Sequence, residues 1–206
     1  MPRPKSLTAG EIAAAALAVI DRNALDALTI RAVAEELGMS TMSIYRYVKG
    51  REELERYIVD LVIASIDVSL EEHLSWRERI RILLQRFRDS VARHPQVAPL
   101  LLNYCFDSES ALPWMEGLLE TLAEAGFAGE RRYIALRLMA RFVSNSVQGQ
   151  YMRGSIEQSN PPANRAGRSF PLAAEIPIHA RNVTADREFS DQLAIILDGL
   201  AVTIEN

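Results

Sequence analysis

TIRAVAEELGMSTMSIYRYVKGREEL, residues 29–54, is the stretch that decides the fold. Ile30, Val33, Ala34 and Leu37 recur at helical spacing, and Gly38 supplies the left-handed residue that ends a helix without a Cβ clash. Met39 and Ser40 turn the chain. The Ser40 hydroxyl is placed to cap a second helix over about 41–48, with Ile44 and Val48 on its buried face. The opposite face carries Thr41, Met42, Ser43, Tyr45, Arg46 and Tyr47, and residues 38–51 hold Arg46, Lys49 and Arg51 without one acidic residue. Two short helices at a tight turn, the second polar and cationic on its outer face, form the pattern of a DNA-reading helix-turn-helix.

Charge sharpens that expectation. The chain of 206 residues has a formal net charge of −4, whereas nucleic-acid binders are often basic. Residues 1–56 carry eight basic and eight acidic side chains, so any DNA affinity has to come from a local patch and not from a basic domain. No run of about eighteen uncharged apolar residues exists, and the opening MPRPKSLTAGE lacks the apolar stretch of a signal peptide; a cytoplasmic location without membrane contact is expected. The single cysteine, Cys105, excludes an internal disulfide. With His73, His94 and His179 scattered, no metal site is expected either.

Outward from the motif nearly everything has helical period, and the expected class is all-α. Thr8 with Glu11 reads as a capping box opening a first helix, with Ile12, Ala15, Ala16, Val19 and Ile20 on one face to about residue 23. Leu25 and Leu28 lie in the connection to Thr29, which caps the second helix, so the head is a three-helix unit. A fourth helix begins near 51, and its apolar positions Leu54, Ile58, Leu61, Val62 and Ile66 continue past the head into a larger helical body. Further helices are expected over 76–93, 110–125, 130–153 and 186–205, with a short one near 96–103 and breaks at Pro95 and Gly126. Residues 154–184 hold Pro161, Pro162, Pro171 and Pro177 among small polar residues and read as a long loop, partly disordered. The expected division is a DNA-binding domain over 1–55 and a ligand-binding and dimerisation domain over 56–206.

LTIRAVAEELGMSTMSIYRYVKGREEL, residues 28–54, resembles the N-terminal domain of the TetR family of bacterial transcriptional regulators. It shows that family's Leu-Thr before the second helix, its Gly-Met-Ser turn, its Ile-Tyr-x-Tyr-Val run, then Lys and an acidic-Leu pair. Tyr47 stands where many members have His. Near the C-terminus FSDQLAIILDGL, residues 189–200, is similar to the dimerising last helix of members close to the tetracycline repressor, and the proline-rich segment before it also fits that subgroup. The resemblance implies a homodimer that binds double-stranded operator DNA and a small-molecule effector, with repression as the family default. No cofactor is implied.

A recognition helix presents its first residues to base edges, so Thr41, Met42 and Ser43 are the candidate readers, with the capping Ser40 a further candidate DNA contact, and Arg46 lies one turn beyond Met42, within reach of a guanine edge. Arg31 resembles a family position that contacts base or phosphate; Tyr45, Tyr47 and Lys49 are expected to position the DNA backbone. Two alternatives stand: Tyr45 and Tyr47 pack the head against its fourth helix, and Arg51 is a first-turn helix residue paired with a carboxylate. For dimerisation the candidates are Leu138, Phe189, Leu193, Ile196, Leu197 and Leu200, as two helices per subunit in a four-helix seam; intrachain packing is the alternative. Candidate ligand contacts are Asn103, Phe106, Trp114, Met115, Leu118, Phe142, Asn145, Gln148 and Met152, with Leu102 and Arg137 in the same mixture of bulky and polar residues. They suit a small, largely apolar molecule. Against this stand a ligand-blind architectural DNA protein and an enzyme using Cys105 with His94 or Asp107, but no Gly-rich phosphate loop, Ser elbow or metal-spaced His pair supports catalysis.

Overall fold

The computed structural model describes residues 7–157 and 171–204, with the side chains of 148–157, 171 and 174 outside the description. The helices are α1 Ala9–Asn23, α2 Ile30–Glu36, α3 Thr41–Ile44, α4 Arg51–Ala64, α5 Trp76–Ala92, α6 Ala98–Tyr104, α7 Leu112–Glu124, α8 Gly129–Glu157, α9 Pro171–Asn182 and α10 Ala185–Ile204, and no strand occurs among the described residues. No described helix is long and apolar enough to cross a membrane.

Side-chain caps decide where several helices start. The Thr8 hydroxyl accepts from Glu11 N–H at 3.2 Å while the Glu11 carboxylate takes Thr8 N–H at 2.9 Å, a reciprocal box that satisfies two orphan donors of α1. Thr29 accepts from Ala32 N–H at 3.0 Å to open α2. Ser75 and Glu78 form the same box at the head of α5. Between α1 and the 3-10 turn Leu25–Ala27, Ala24 takes φ 66° and ψ 168°, a region that is essentially glycine's alone.

Two compact units emerge, Met1–Ser144 and Asn145–Asn206, so compactness does not divide the chain at residue 55. The reason lies in α4. It packs against α1 on one side and against α5 and α6 on another, and its face of Leu54, Ile58, Val59 and Val62 is fully buried. Truncating a side chain such as Ile58 to alanine would cost about 2 to 5 kcal/mol, which ties the three head helices and α5 to α7 into one folding unit.

Two expectations need correction. α3 ends at Ile44 and not near Val48: Arg46 N–H bonds to Ser43 C=O and Tyr47 N–H to Ile44 C=O, a tighter three-residue winding that still delivers Ile44 and Val48 to the core. The segment 154–184 is not one loop, because α8 runs to Glu157 and α9 occupies Pro171–Asn182. Pro171 sits in the first turn, where its missing N–H is no loss, and Leu-Ala-Ala-Glu-Ile behind it favours helix; Pro177 is tolerated inside α9. Pro161 and Pro162 lie outside the described residues. Phe189, Leu193, Leu197 and Leu200 of α10 are buried in the single chain, as the intrachain alternative has it. What α10 exposes instead is Ile195, Gly199 and Val202 along one line, with Ile196 half-buried; on α8, Leu138 and Ile134 are exposed one turn apart.

Candidate nucleic-acid interface and body cavity

The turn between α2 and α3 is fixed by backbone chemistry. Gly38 at φ +65° lets Met39 N–H reach Ala34 C=O at 2.9 Å and Gly38 N–H reach Glu35 C=O at 3.1 Å, the paired bonds of a Schellman cap. Ser40 then caps α3, accepting from Ser43 N–H at 3.3 Å and sharing a hydrogen bond with the Ser43 hydroxyl at 2.8 Å. The two hydroxyls are thus engaged with each other.

Of the candidate DNA contacts, Met42 is 76% exposed and Tyr45 53%, far from the burial expected if Tyr45 packed against α4. Arg31, Ser40, Arg46 and Lys49 are exposed as well, and Thr41, Ser43 and Tyr47 are half-buried. The cations differ in their partners. Arg31 pairs with Glu35 at 2.9 Å. Arg51 pairs with Glu55 at 2.7 Å and donates to the carbonyls of Leu28 and Leu25 at 3.2 and 3.1 Å, so it is a structural staple at the start of α4. Among the described residues neither the Arg46 guanidinium nor the Lys49 ammonium has a carboxylate partner. The nearby Glu53 is occupied otherwise, taking Lys49 backbone N–H at 2.6 Å and the Tyr57 hydroxyl at 3.1 Å. A pair of unneutralised cations beside an exposed Met and Tyr is what a local phosphate- and base-facing patch requires on a head with no net charge.

Several side chains tie this head to the helices behind it. The Glu55 carboxylate that holds Arg51 also accepts the Tyr104 hydroxyl at 2.8 Å, at the end of α6, and the Arg56 guanidinium lies 5.4 Å from the Tyr104 ring centre. Donation to Glu55 is the main reason the Tyr104 phenol is held above its ordinary pKa. Asp21 at the end of α1 meets His94 Nδ1 at 2.8 Å, Leu25 N–H donates to Gln96 Oε1 at 3.3 Å, and Asp60 of α4 accepts the Ser108 hydroxyl.

One turn from Tyr104 opens a cavity of about 190 Å³. Its floor is Phe87, Leu101, Cys105, Trp114, Ala140 and Ser144, all buried; its mouth is Leu102, Phe106, Arg137 and Arg141. Phe87 and Trp114 rings stand 4.7 Å apart at 44°, and Trp114 Nε1–H is spent on Leu83 C=O at 3.0 Å. The Cys105 thiol is pushed up to about 11 by burial, so it stays protonated at neutral pH and is a poor nucleophile.

Of the candidate ligand contacts, Phe106 and Trp114 line the cavity, together with Leu102 and Arg137. Asn103 faces solvent, Met115 and Leu118 are buried elsewhere on α7, and Phe142 is half-buried off the cavity. Asn145 is exposed in the second unit, and the side chains of Gln148 and Met152 lie outside the described residues. Phe87, Leu101, Ala140, Arg141 and Ser144 escaped sequence reasoning, and Cys105 entered it only as a nucleophile. They sit on α5, α6, the turn after it and α8, and nothing local distinguishes a floor residue from ordinary core.

Comparison with known proteins agrees with this layout. The family described as tetracyclin repressor-like, C-terminal domain, matches residues 70–204, and that described as bacterial regulatory proteins, tetR family, matches residues 12–58. An HTH-type transcriptional regulator of Saccharopolyspora erythraea is 25% identical over 180 residues, spanning 87% of this chain and 76% of that protein. The HTH-type transcriptional repressor DrrR1 of Streptomyces coeruleorubidus is 26% identical over 162 residues, 76% of this chain and 58% of DrrR1. The crystal structure of the Streptomyces coelicolor TetR family protein ActR in complex with actinorhodin superposes with a TM-score of 0.81 at 23% identity, covering 98% of this chain and 100% of that one. With its helix-turn-helix head and helical body both matched, the chain belongs to the TetR family and is a DNA-binding transcriptional regulator.

Proposed function

We propose that the protein is a homodimeric repressor that binds a palindromic operator and is released by a small molecule held in the cavity beside α6. The observation that carries this reading is the Glu55 carboxylate, which holds Arg51 of the head with one oxygen and Tyr104, next to the cavity, with the other. A guest that repacks α6 acts on α4 directly, and α4 carries the head.

Met42, Arg46 and Thr41 read base edges, while Arg31, Ser40, Ser43, Tyr45, Tyr47 and Lys49 sit over backbone and flanking positions. Two heads on one dimer address half-sites about one helical turn apart or a multiple of it. The exposed row Ile195, Gly199, Val202 on α10 supplies a surface for pairing. The solved complex of ActR with actinorhodin supports ligand response, and the DrrR1 description supports repression as the sign. Work on chromosomal DNA puts the protein in the cytoplasm.

A gel shift on the DNA upstream of the protein's own gene, with and without small-molecule pools, tests the reading. For a hundredfold release the ligand must prefer the off-operator conformation by about 2.7 kcal/mol, within the usual range for one site. Linkage requires operator DNA to weaken ligand binding by the same factor, so equal ligand affinities with and without operator would leave an architectural, ligand-blind role.

A further inference from the structure

We infer that the ligand class of this cavity is a small aromatic acid: one flat ring seated on the floor, with a carboxylate or equally acidic group at the mouth between Arg137 and Arg141. The inference rests on the ligand-responsive reading above and narrows it.

The floor and the mouth have opposite chemistry. Phe87, Leu101 and Trp114 are each 1% exposed, and the one polar atom of Trp114 is already bonded to Leu83, so the bottom of the cavity is mainly apolar and aromatic, with the Ser144 hydroxyl and the Cys105 thiol as its only small polar groups among the described lining residues. A flat apolar guest gains there by offset or edge-to-face packing. The mouth carries two guanidinium groups one turn apart on α8, Arg137 stacked over Phe106 at 4.8 Å from its centre and Arg141 exposed. Neither has a carboxylate partner among the described residues, whereas Arg79 and Arg86 of α5 both do. Like charges four apart on a helix repel each other. An anion between them removes the repulsion and can be gripped by planar, two-point hydrogen bonding. A neutral guest leaves the pair as it was, and a cationic guest is repelled.

Size narrows the class further. At about 190 Å³ the space is below the roughly 300 to 1,000 Å³ of sites that enclose drug-sized molecules, so one ring with short substituents fits and a large polycyclic compound does not.

The experiment is calorimetry on the full chain with four probes: 4-ethylbenzoate, 4-ethylbenzyl alcohol, 4-ethylbenzylamine and octanoate. The acid is expected to bind at least tenfold more tightly than the alcohol, the amine not at all, and octanoate at least fivefold more weakly than the aromatic acid. In the Arg137→Gln/Arg141→Gln variant the preference for acid over alcohol should vanish while alcohol binding persists. If that variant loses helical signal, raising the salt concentration on the unaltered protein decides instead, since it should shrink the preference. Equal affinity for acid and alcohol, a preference that survives both arginine replacements or indifference to salt, octanoate equal to the ring acid, or no acid binding at millimolar concentration would overturn the inference. A gel shift run in parallel separates the two readings. Arginine-dependent acid binding without operator release leaves the inference standing and removes the regulatory role; release by neutral molecules alone does the reverse.

Discussion

The Tyr104 hydroxyl and the Arg51 guanidinium meet on a single carboxylate, Glu55, at 2.8 and 2.7 Å. Tyr104 closes α6 beside the cavity, and Arg51 holds the carbonyls of Leu25 and Leu28 in the head. A hydrogen bond to a charged acceptor is stronger than a neutral one, so this two-sided grip is a strong polar path between the two ends of the unit.

Tyr104→Phe removes the grip and little else, because the ring is retained. Folding stability should change by no more than about 1 kcal/mol, the net value of one part-exposed hydrogen bond. The ratio of operator affinities without and with effector should fall severalfold, in line with the roughly 0.5 to 2 kcal/mol by which intermediate residues tune coupling. Titrating operator binding by fluorescence anisotropy in both states checks it; an unchanged ratio would mean that coupling takes another route, such as Asp21 to His94.

On the recognition segment, Arg46→Ala should cost about 1 to 3 kcal/mol at one operator position and relax the preference there, whereas Lys49→Ala should weaken all sequences alike and flatten the salt dependence by about one charge. Binding to a panel of single-base operator variants across a salt series distinguishes them. The roles are misassigned if Lys49→Ala alters base preference with its salt slope intact.

For α10 the buried and exposed rows predict opposite outcomes. Ile195→Glu places a charge on the exposed row and should yield a folded monomer in sedimentation, with operator affinity reduced. Leu197→Glu, at a fully buried position, puts an unpaired ion in the core and should unfold the C-terminal helix, at a cost of several kcal/mol. An Ile195→Glu protein that still sediments as a dimer moves the interface elsewhere.

Acid should loosen the start of α5. Glu78 is held below the usual carboxylate range by the Ser75 hydroxyl and Ser75 N–H, and Asp67 likewise by Ser69. A carboxylate with a depressed folded pKa adds stability that is present above its unfolded value near 4.5 and lost as pH falls through the folded one. Melting temperature should therefore drop between pH 5 and pH 3, and less steeply in Glu78→Gln, whose amide accepts the same bonds without titrating. Parallel slopes would show the cap to be irrelevant.

Local chemistry was readable in the residues: Thr8 with Glu11, Thr29, Gly38 and Ser40 each act where their types direct, because a cap or a left-handed turn is decided within four residues. The Ser75 and Glu78 box carries the same signature. Facing was not readable. Periodicity marks Phe189, Leu193 and Leu197 as one apolar stripe, but burial inside the chain and burial against a second copy leave the same stripe, and only the fold shows that the single chain buries it. The cavity failed for a related reason, since Phe87, Leu101 and Ser144 become neighbours only when three helices assemble. Prolines misled over 171–182, where Pro171 opens a helix and does not break one.

Ala24 gives the joint between α1 and the rest of the head a different character. A residue with a Cβ is wound into a conformation that disfavours it by about 1 to 3 kcal/mol, and its neighbour Leu25 is pinned from both sides, N–H by Gln96 and C=O by Arg51. The joint is a sprung latch: one hydrogen bond from Arg51 at the start of α4 and one to Gln96, just before α6, hold it closed against its own torsion. Withdrawing Gln96 or Arg51 removes one of the two bonds that hold the residue next to this disfavoured backbone in place.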